Sequence, residues 1–504
     1  MSTIAAARGV RACIACALRE LPSCYRCYRY TRCDFAWRSG DMVEMVSLRE
    51  LGIGLGAAGL GAVLARRCFQ TTTGTAASEV ATTALGVGTQ LPMMKQKTHG
   101  DAIYLDWNAT SPIFPEVTEE MLPYTGLRFG NPSSGHVFGR PCAAAVAAAR
   151  ERVAALVHSR PAEIIFTSCG SESDNHAIRI AVERGRACLP TGITPHIVTT
   201  NIEHPAIEAC LCALESSGAV EVTRISVDVE GLVAVGDVRN AVRPDQTVLV
   251  TIMHSNNEVG SVQPIKRIVK AVKFCSKKIE GSPRTGAAAE HLCLVHTDAA
   301  QSIGKVVVDV ADLGVDMATI VGHKFGCPKG VAALFVKEGT PFVPMFFGGG
   351  QESGRRAGTE NVLLIAAIGK AAEVVKEEAD EIAAHMTAMR ERLLQRLIDG
   401  MGADAIRTNG PVDPARRLPN TLSVGIKGVS ATSLLAALSE KVAASASAAC
   451  HTGGKQEVSA ILRAMKVPQE FALGTLRLSV GRHTTPDEID VAASLIISEA
   501  KKQR

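Results

Sequence analysis

Two stretches hold the residues best equipped for chemistry, VHTDAAQ at 295–301 and TIVGHKFGCPKG at 319–330. Asp298 stands at the end of one apolar run, and Lys324 just past the end of the next. A lysine amine can hold an aldehyde cofactor as a Schiff base. An acid beside a pyridine nitrogen keeps that nitrogen protonated, so the ring can take up electrons. Together the two residues are the equipment of pyridoxal phosphate chemistry, although either alone would read as an ordinary lysine or strand-end aspartate.

They are not alone. In IIFTSCGSESDNHAIRIAVE, 164–183, a β-rich run meets a small-residue turn and then a helical pattern. Backbone N–H groups at such a helix start suit a phosphate, and Gly170 and Ser171 would supply N–H groups and a hydroxyl. By itself this turn is common. His204 opens another helical pattern in VTTNIEHPAIEA, where a lone histidine is more often a cap. VTIMHSNNEVGSVQPI, 250–265, ends a strand with Asn256 and Asn257. Strand after strand ends in polar or titratable residues, and ligands of open α/β sheets bind at those carboxyl ends.

The elements that must position these groups follow one pattern. Strand-like runs recur at 163–167, 196–200, 221–226, 247–253, 292–297, 316–321 and 331–336. Helical patterns lie between most of them, including 142–157, 204–216 and 263–278. This alternation predicts a mostly parallel sheet covered on both faces. From Asn361 to Gly400 the pattern is helical with one break, and Gly400 is the expected terminator. KEEADE at 376–381 reads as a solvated helix face. Strands at 421–426 and 475–480 and helices at 430–441 and 486–502 then predict a smaller α+β domain.

In order and at matching spacing, the chain carries YLDWNATSP (104–112), FGNPSSGH (129–136), FTSCGSESDN (166–175), EHPAI (203–207), HSNNEVG (254–260), HTDAAQSIGK (296–305), GHKF (322–325), GGGQESGRRAGTEN (348–361), LPNT (418–421), SAAC (447–450) and LRLSVGRHTT (476–485). This series resembles the cysteine desulfurases and selenocysteine lyases, pyridoxal phosphate enzymes of the class V aminotransferase group, over roughly residues 101–500. The resemblance implies a type I fold of pyridoxal phosphate enzymes. Its large domain, 101–365, would hold a mostly parallel seven-stranded sheet, with 101–115 packing on a small domain, 366–504, that carries a catalytic-cysteine loop.

Roles follow from the same resemblance. Lys324 would hold pyridoxal 5'-phosphate, Asp298 would pair with the pyridine nitrogen and Gln301 with the ring hydroxyl, and His204 would stack on the ring and move protons. Gly170, Ser171 and His323 match phosphate ligands, and Thr359 one that reaches across from a partner subunit, so a homodimer is implied. Asn257 matches an asparagine beside the cofactor, and Arg477 the residue that grips the substrate carboxylate, a task suited to a two-pronged donor. Cys450 would be the nucleophile, because a thiolate can take sulfur or selenium and leave alanine. L-selenocysteine or L-cysteine is the implied substrate, and a sulfur or selenium acceptor protein a possible partner.

Several positions depart from the desulfurase pattern. Cys169 and Cys327 replace glycines, and Val321 replaces a phosphate-binding serine. Selenocysteine lyases share the TIVGHKF run, a histidine after the cysteine as in Cys450–His451, a longer loop beyond it, and an insertion like that between Lys273 and Leu294. GGGQESGRRAGTEN is closer to nitrogen-fixation desulfurases, and Pro205 matches neither group. The balance tilts to selenocysteine lyase, with cysteine desulfurase supplying iron–sulfur clusters as the alternative. A true aminotransferase or kynureninase-like enzyme would need no Cys450, and a silent scaffold would need none of the set.

Length alone suggests about three domains for 504 residues, and 46% hydrophobic residues allow a large core. Residues 1–99 carry 12 Lys and Arg against 6 Asp and Glu, a net of +6, which leaves the remainder at −2 of the overall +4. A near-neutral body argues against nucleic acid. Fifteen cysteines scattered mostly through an enzyme body read as free thiols. Cys13-x-x-Cys16 and Cys24-x-x-Cys27 are too close together for the common zinc spacings, so no metal is expected. Residues 1–100 read as a leader and linker, expected to be disordered. Seven arginines, no lysine and two acids in residues 1–40 resemble a mitochondrial or plastid transit peptide. The cytoplasm is the alternative, and the 15-residue apolar run 51–65 is at most a marginal anchor.

Overall fold

Alternate residues of Ile164–Thr167 point to opposite cores, Ile164 and Phe166 to one and Ile165 to the other. That is the period of a strand covered on both faces. The computed structural model of the protein describes residues 36–39, 42–45, 102–278, 291–450 and 456–504. Its main sheet comprises β1 (Ile164–Thr167), β2 (His196–Thr200), β3 (Glu221–Ile225), β4 (Thr247–Thr251), β5 (Leu294–Asp298), β6 (Met317–Val321) and β7 (Ala332–Val336). The seven strands run in the order β1-β7-β6-β5-β4-β2-β3. β7 is antiparallel to both neighbours, and every other pairing is parallel. All strands but the edge strand β3 are wholly buried, as a doubly covered sheet requires.

Helices α1 (Gly139–Leu156), α2 (Gly170–Cys188), α3 (Pro205–Ser216), α4 (Ile265–Cys275) and α5 (Val362–Glu377) supply the cover, while α6 (Ala379–Met401) packs against the C-terminal region. Val153 of α1 and Ile368 of α5 pack in the core of Phe166, while Ile178 of α2 and Leu211 of α3 pack in that of Ile165. The expected break falls at Glu378, inside the exposed KEEADE segment. The expected stop at Gly400 is corrected. α6 continues to Met401, and Gly402, at φ 86°, ends it. Gly400 instead makes room for a neighbour, because a Cβ there would lie 2.3 Å from Ile497 Cδ1.

The C-terminal region folds β8 (Ile406–Asn409), β9 (Thr421–Ile426), α7 (Ala431–Leu438), β10 (Ser445–Ala446), β11 (Ala448–Cys450), β12 (Gln456–Val458), β13 (Thr475–Ser479) and α8 (Pro486–Gln503). Four of these strands form an antiparallel sheet in the order β8-β9-β13-β10. β11 and β12 form a separate antiparallel ribbon in which Cys450 stands opposite Gln456. The loop expected after Cys450 falls at 451–455, outside the described residues, and Cys450 itself ends a strand. Ile103–Tyr104 pairs in parallel with Val442–Ala443, and Asp106 bridges to Ser479. The stretch after residue 102 is thereby laid along the C-terminal region and led back towards the main sheet.

The chain divides into two units, Met1–Lys95 and Gln96–Arg504. In the first, Ala36–Ser39 and Met42–Met45 form an antiparallel pair, an element that composition did not suggest. The Cys13–Cys27 pairs, the run 51–65, the linker, His451 and the inner part of the insertion between Lys273 and Leu294 lie outside the described residues. Among the described residues, no helix is long and apolar enough to cross a membrane.

Candidate active site

Parallel strands β4, β5 and β6 end side by side, and each end delivers a polar group. Asp298 is the last residue of β5, and Lys324 follows β6 in the short turn Gly322–Lys324. Lys324 Nζ donates to the carbonyls of Asn108 at 2.7 Å and Ala109 at 2.9 Å. Burial, with help from the Arg477 guanidinium, pushes its ammonium down to about 8, against the opposing pull of Asp298 and Asp106. An amine so placed is readily neutral, which nucleophilic attack on a carbonyl requires.

Asp298 is buried, and Oδ1 accepts the Ala300 N–H at 2.9 Å. Burial raises its pKa, opposed by that N–H and by the nearby His204 and Lys324. His204 caps α3, its Nδ1 accepting the Ala206 N–H at 3.1 Å, which leaves the ring proton on Nε2. Burial lowers the pKa of this ring, opposed by Asp298 and aided by Lys324. Gln301 is buried, with Nε2 donating to the Asn108 carbonyl at 3.0 Å.

At the start of α2, a nineteen-residue helix, Gly170 faces Val321, where a Cβ would lie 2.7 Å from Val321 Cγ2. The first turn is held from the side. Glu172 accepts the Ser168 N–H at 2.8 Å and takes Arg356 at 2.8 and 3.1 Å. Cys169 precedes the helix in extended backbone, φ −167°, which any residue adopts, so its replacement of a glycine needs no strain. Ser171 and Cys169 are exposed at this turn. Cys327 is buried with its thiol pushed well up by burial, and it packs at Gly322, where a Cβ would meet its Sγ at 3.0 Å. His323 Nδ1 lies 3.1 Å from Thr110 Oγ1, and burial lowers this ring to about 4. Thr359 is exposed in the segment after Arg356.

Arg477, in β13, reaches the same region from the C-terminal sheet. Its Nη2 donates to Asp106 Oδ1 at 2.8 Å and to Ser445 Oγ at 2.8 Å, and Nη1 to the Asn257 carbonyl at 3.2 Å. Its Nε is buried with no partner among the described residues. Cys450 stands at the end of β11 in the described backbone, and its side chain lies outside the described residues.

Three of the organising residues were not assigned from sequence. Asn108 is wholly buried and donates to Thr421 Oγ1 at 2.8 Å and the Asn257 carbonyl at 3.2 Å, and its Oδ1 accepts from Asn420 at 2.9 Å. Asp106 holds Arg477, and buried Lys305 donates to Gln301. The signal was present in the quoted segments YLDWNATSP, LPNT and HTDAAQSIGK, but no rule of spacing gives these residues a partner.

This set joins an amine of lowered pKa, a buried strand-end carboxylate, a histidine at a helix mouth, a long helix with a glycine start, and a two-pronged cation. The aminotransferase class-V family model matches residues 103–491. The chain belongs to the class-V aminotransferase family. It is 40% identical over 418 residues to a selenocysteine lyase of Bos taurus, covering 79% of this chain and 92% of the relative. It is 41% identical over 389 residues to a cysteine desulfurase of Trichormus azollae, covering 77% and 90%. Among solved structures, a NifS-like protein aligns with a TM-score of 0.69 at 33% identity, over 79% of this chain and 98% of the other. SspA in complex with cysteine aligns at 0.61 with 30% identity, over 76% and 100%.

As a class-V family enzyme the protein takes pyridoxal 5'-phosphate. The residues fit that group. Lys324 offers a reactive amine, and Asp298 Oδ2 has no hydrogen bond among the described residues. The glycine start of α2 offers N–H groups for a phosphate. The fold is that of NifS-like enzymes, as the sequence resemblance implies.

Proposed function

We propose that the protein removes selenium from L-selenocysteine, or sulfur from L-cysteine, to give L-alanine and either zero-valent selenium, which a thiol reductant takes to selenide, or an enzyme persulfide, with selenocysteine lyase the favoured reading. The observation that carries it is Lys324, with its amine held down to about 8 in a site shared by Asp298, His204 and Arg477. Pyridoxal phosphate supplies an electron sink when bound. Lys324 holds it and returns a proton to the substrate carbon. Asp298 would pair with the pyridine nitrogen, Gln301 with the ring hydroxyl, and His204 would lie against the ring. Gly170, Ser171 and His323 take the phosphate, with Asn257 alongside.

Arg477 binds the substrate carboxylate, and its Nε is without a partner among the described residues. The Cys450 thiolate takes sulfur from the substrate. The substrate selenol is ionised near neutral pH and its C–Se bond is weaker than C–S, so selenium can depart as Se(0), its bonding electrons staying on the carbon that is protonated to alanine, without attack by Cys450 for part of the selenium reaction. Cysteine desulfurase activity serving iron–sulfur cluster assembly, with an acceptor protein, is the second reading, supported by the Trichormus azollae relative. A side-by-side assay of alanine from both substrates decides between them. Cys450→Ala abolishes turnover of cysteine and leaves measurable turnover of selenocysteine, while Lys324→Ala silences both. Full activity of Cys450→Ala on cysteine would remove the nucleophile assignment.

The enzyme acts as a homodimer in this reading, with Thr359 reaching the partner's phosphate. Thr359 is exposed, and Leu127, Phe129 and Phe347 expose large apolar side chains. A fully active, cofactor-loaded monomer in sedimentation overturns it. Residues 1–98 direct import into a mitochondrion or plastid and are dispensable for catalysis. A fluorescent fusion of residues 1–98 that stays diffuse in the cytosol removes that reading.

A further inference from the structure

Lysine is almost never fully buried without a purpose or a partner, because its ammonium loses hydration. Lys305 is 7% exposed, and both hydrogen bonds recorded for its Nζ go to one residue. It donates to the Gln301 backbone carbonyl at 3.1 Å and to the side-chain Oε1 at 3.0 Å. Lysine has donors only. Whatever amide atom faces it must therefore be the oxygen, and the amide NH2 must point the other way. On that side Nε2 donates to the Asn108 carbonyl at 3.0 Å, the same carbonyl that accepts Lys324 Nζ at 2.7 Å.

We propose that Lys305 is a positioning residue that fixes the Gln301 amide with its oxygen turned inward, so that the NH2 is always the group presented to the ring oxygen of the bound cofactor. The proposal rests on the reading that Gln301 faces that oxygen. Without Lys305 only the Asn108 carbonyl opposes a turned amide, which would offer an acceptor to an acceptor. Burial, then the cations Lys324 and Arg477, pushes Lys305 down to about 7, so the site tolerates this lysine at the expense of its charge. A neutral amine could also accept, but the Gln301 backbone carbonyl still takes one of its N–H groups and the Asn108 carbonyl still holds the amide NH2 on the far side.

The test is the absorption spectrum of the cofactor-loaded enzyme against pH, which reports the proton shared between the lysine-bound cofactor and its ring oxygen. Gln301→Leu removes the donor and shifts the spectral midpoint upward by about one pH unit. Lys305→Met keeps the apolar stem and shifts it in the same direction. Lys305→Met in the Gln301→Leu background adds nothing further, since the two act through one hydrogen bond. Lys305→Gln, a neutral donor, retains part of the wild-type midpoint and covers the case in which Lys305→Met does not fold. A shift from Gln301→Leu with none from Lys305→Met overturns the proposal and spares the Gln301 reading. Additive shifts also overturn it, because they mean that Lys305 acts only as a charge. No shift from Gln301→Leu removes the Gln301 reading and the proposal with it.

Discussion

Asp106 and Arg477, 371 residues apart in the chain, meet at 2.8 Å, with Ser445 Oγ donating to the same carboxylate oxygen at 2.9 Å. The pair joins the segment after residue 102 to β13 and points the guanidinium at the strand ends of the main sheet. Asp106→Asn keeps the shape and removes the charge that anchors Arg477. The KM for cysteine should rise about tenfold, equivalent to about 1.4 kcal/mol, with kcat changed far less. Steady-state kinetics check this, and an unchanged KM would mean that the pair does not orient Arg477 for substrate.

Lys324 titrates near 8 because its charged form is disfavoured by burial and by Arg477. Capture of pyridoxal phosphate by the apoenzyme needs the neutral amine. The rate should climb roughly tenfold per pH unit below that point and level off above it. In Arg477→Met the midpoint should move to higher pH. Because the folded state sheds this proton earlier than the unfolded chain, the group also adds stability to the apoenzyme as pH rises from about 8 towards 10.5. A capture rate that falls as pH rises from 6 to 8 would show that another group controls the step.

Gly170 is spaced against Val321, not merely permissive. Its φ is ordinary helix, but a Cβ would meet Val321 Cγ2 at 2.7 Å, and a β-branched side chain cannot easily rotate away. Gly170→Ala should weaken cofactor retention on dialysis by displacing the first turn of α2. Val321→Ala in the same chain should restore most of it. Equal losses in the single and double variants would rule out this contact as the cause.

Asn108 ties Thr421, Asn420 and Asn257 together in a buried network, and its carbonyl receives Lys324 and Gln301. Asn108→Ala removes one hydrogen bond each from Thr421, Asn420 and the Asn257 carbonyl in a buried site, at a cost of about 1–3 kcal/mol. The urea midpoint of the apoenzyme should fall accordingly. A midpoint within error of wild type would mean that water replaces the side chain.

Much of the fold was legible because its signals are local. The strands were placed to within one to two residues by apolar runs, and Asp298 and Lys324 were found at strand ends by position alone. Helix ends were less secure. Gly400 has the residue type of a terminator, yet the helix passes through it because Ile497 needs the space, and Gly402 has the backbone angle that ends a helix. The small residues at 443–450 carried no strand signal, because short strands with cross-strand partners do not announce themselves in composition.

The sequence by itself determined the chemistry available, namely an amine, a strand-end acid, a glycine-started helix and a guanidinium, since residue type and local period settle these. The tertiary structure decided how they act together. Only the fold brings Asp106 to Arg477 and Asn108 to Lys324 across 216 positions. Only burial lowers Lys324 to about 8, because the penalty on its charge comes from the protein packed around it. Lys305 shows the same division. Its identity is in the sequence, while the single orientation it imposes on Gln301 exists only where the two side chains are enclosed together.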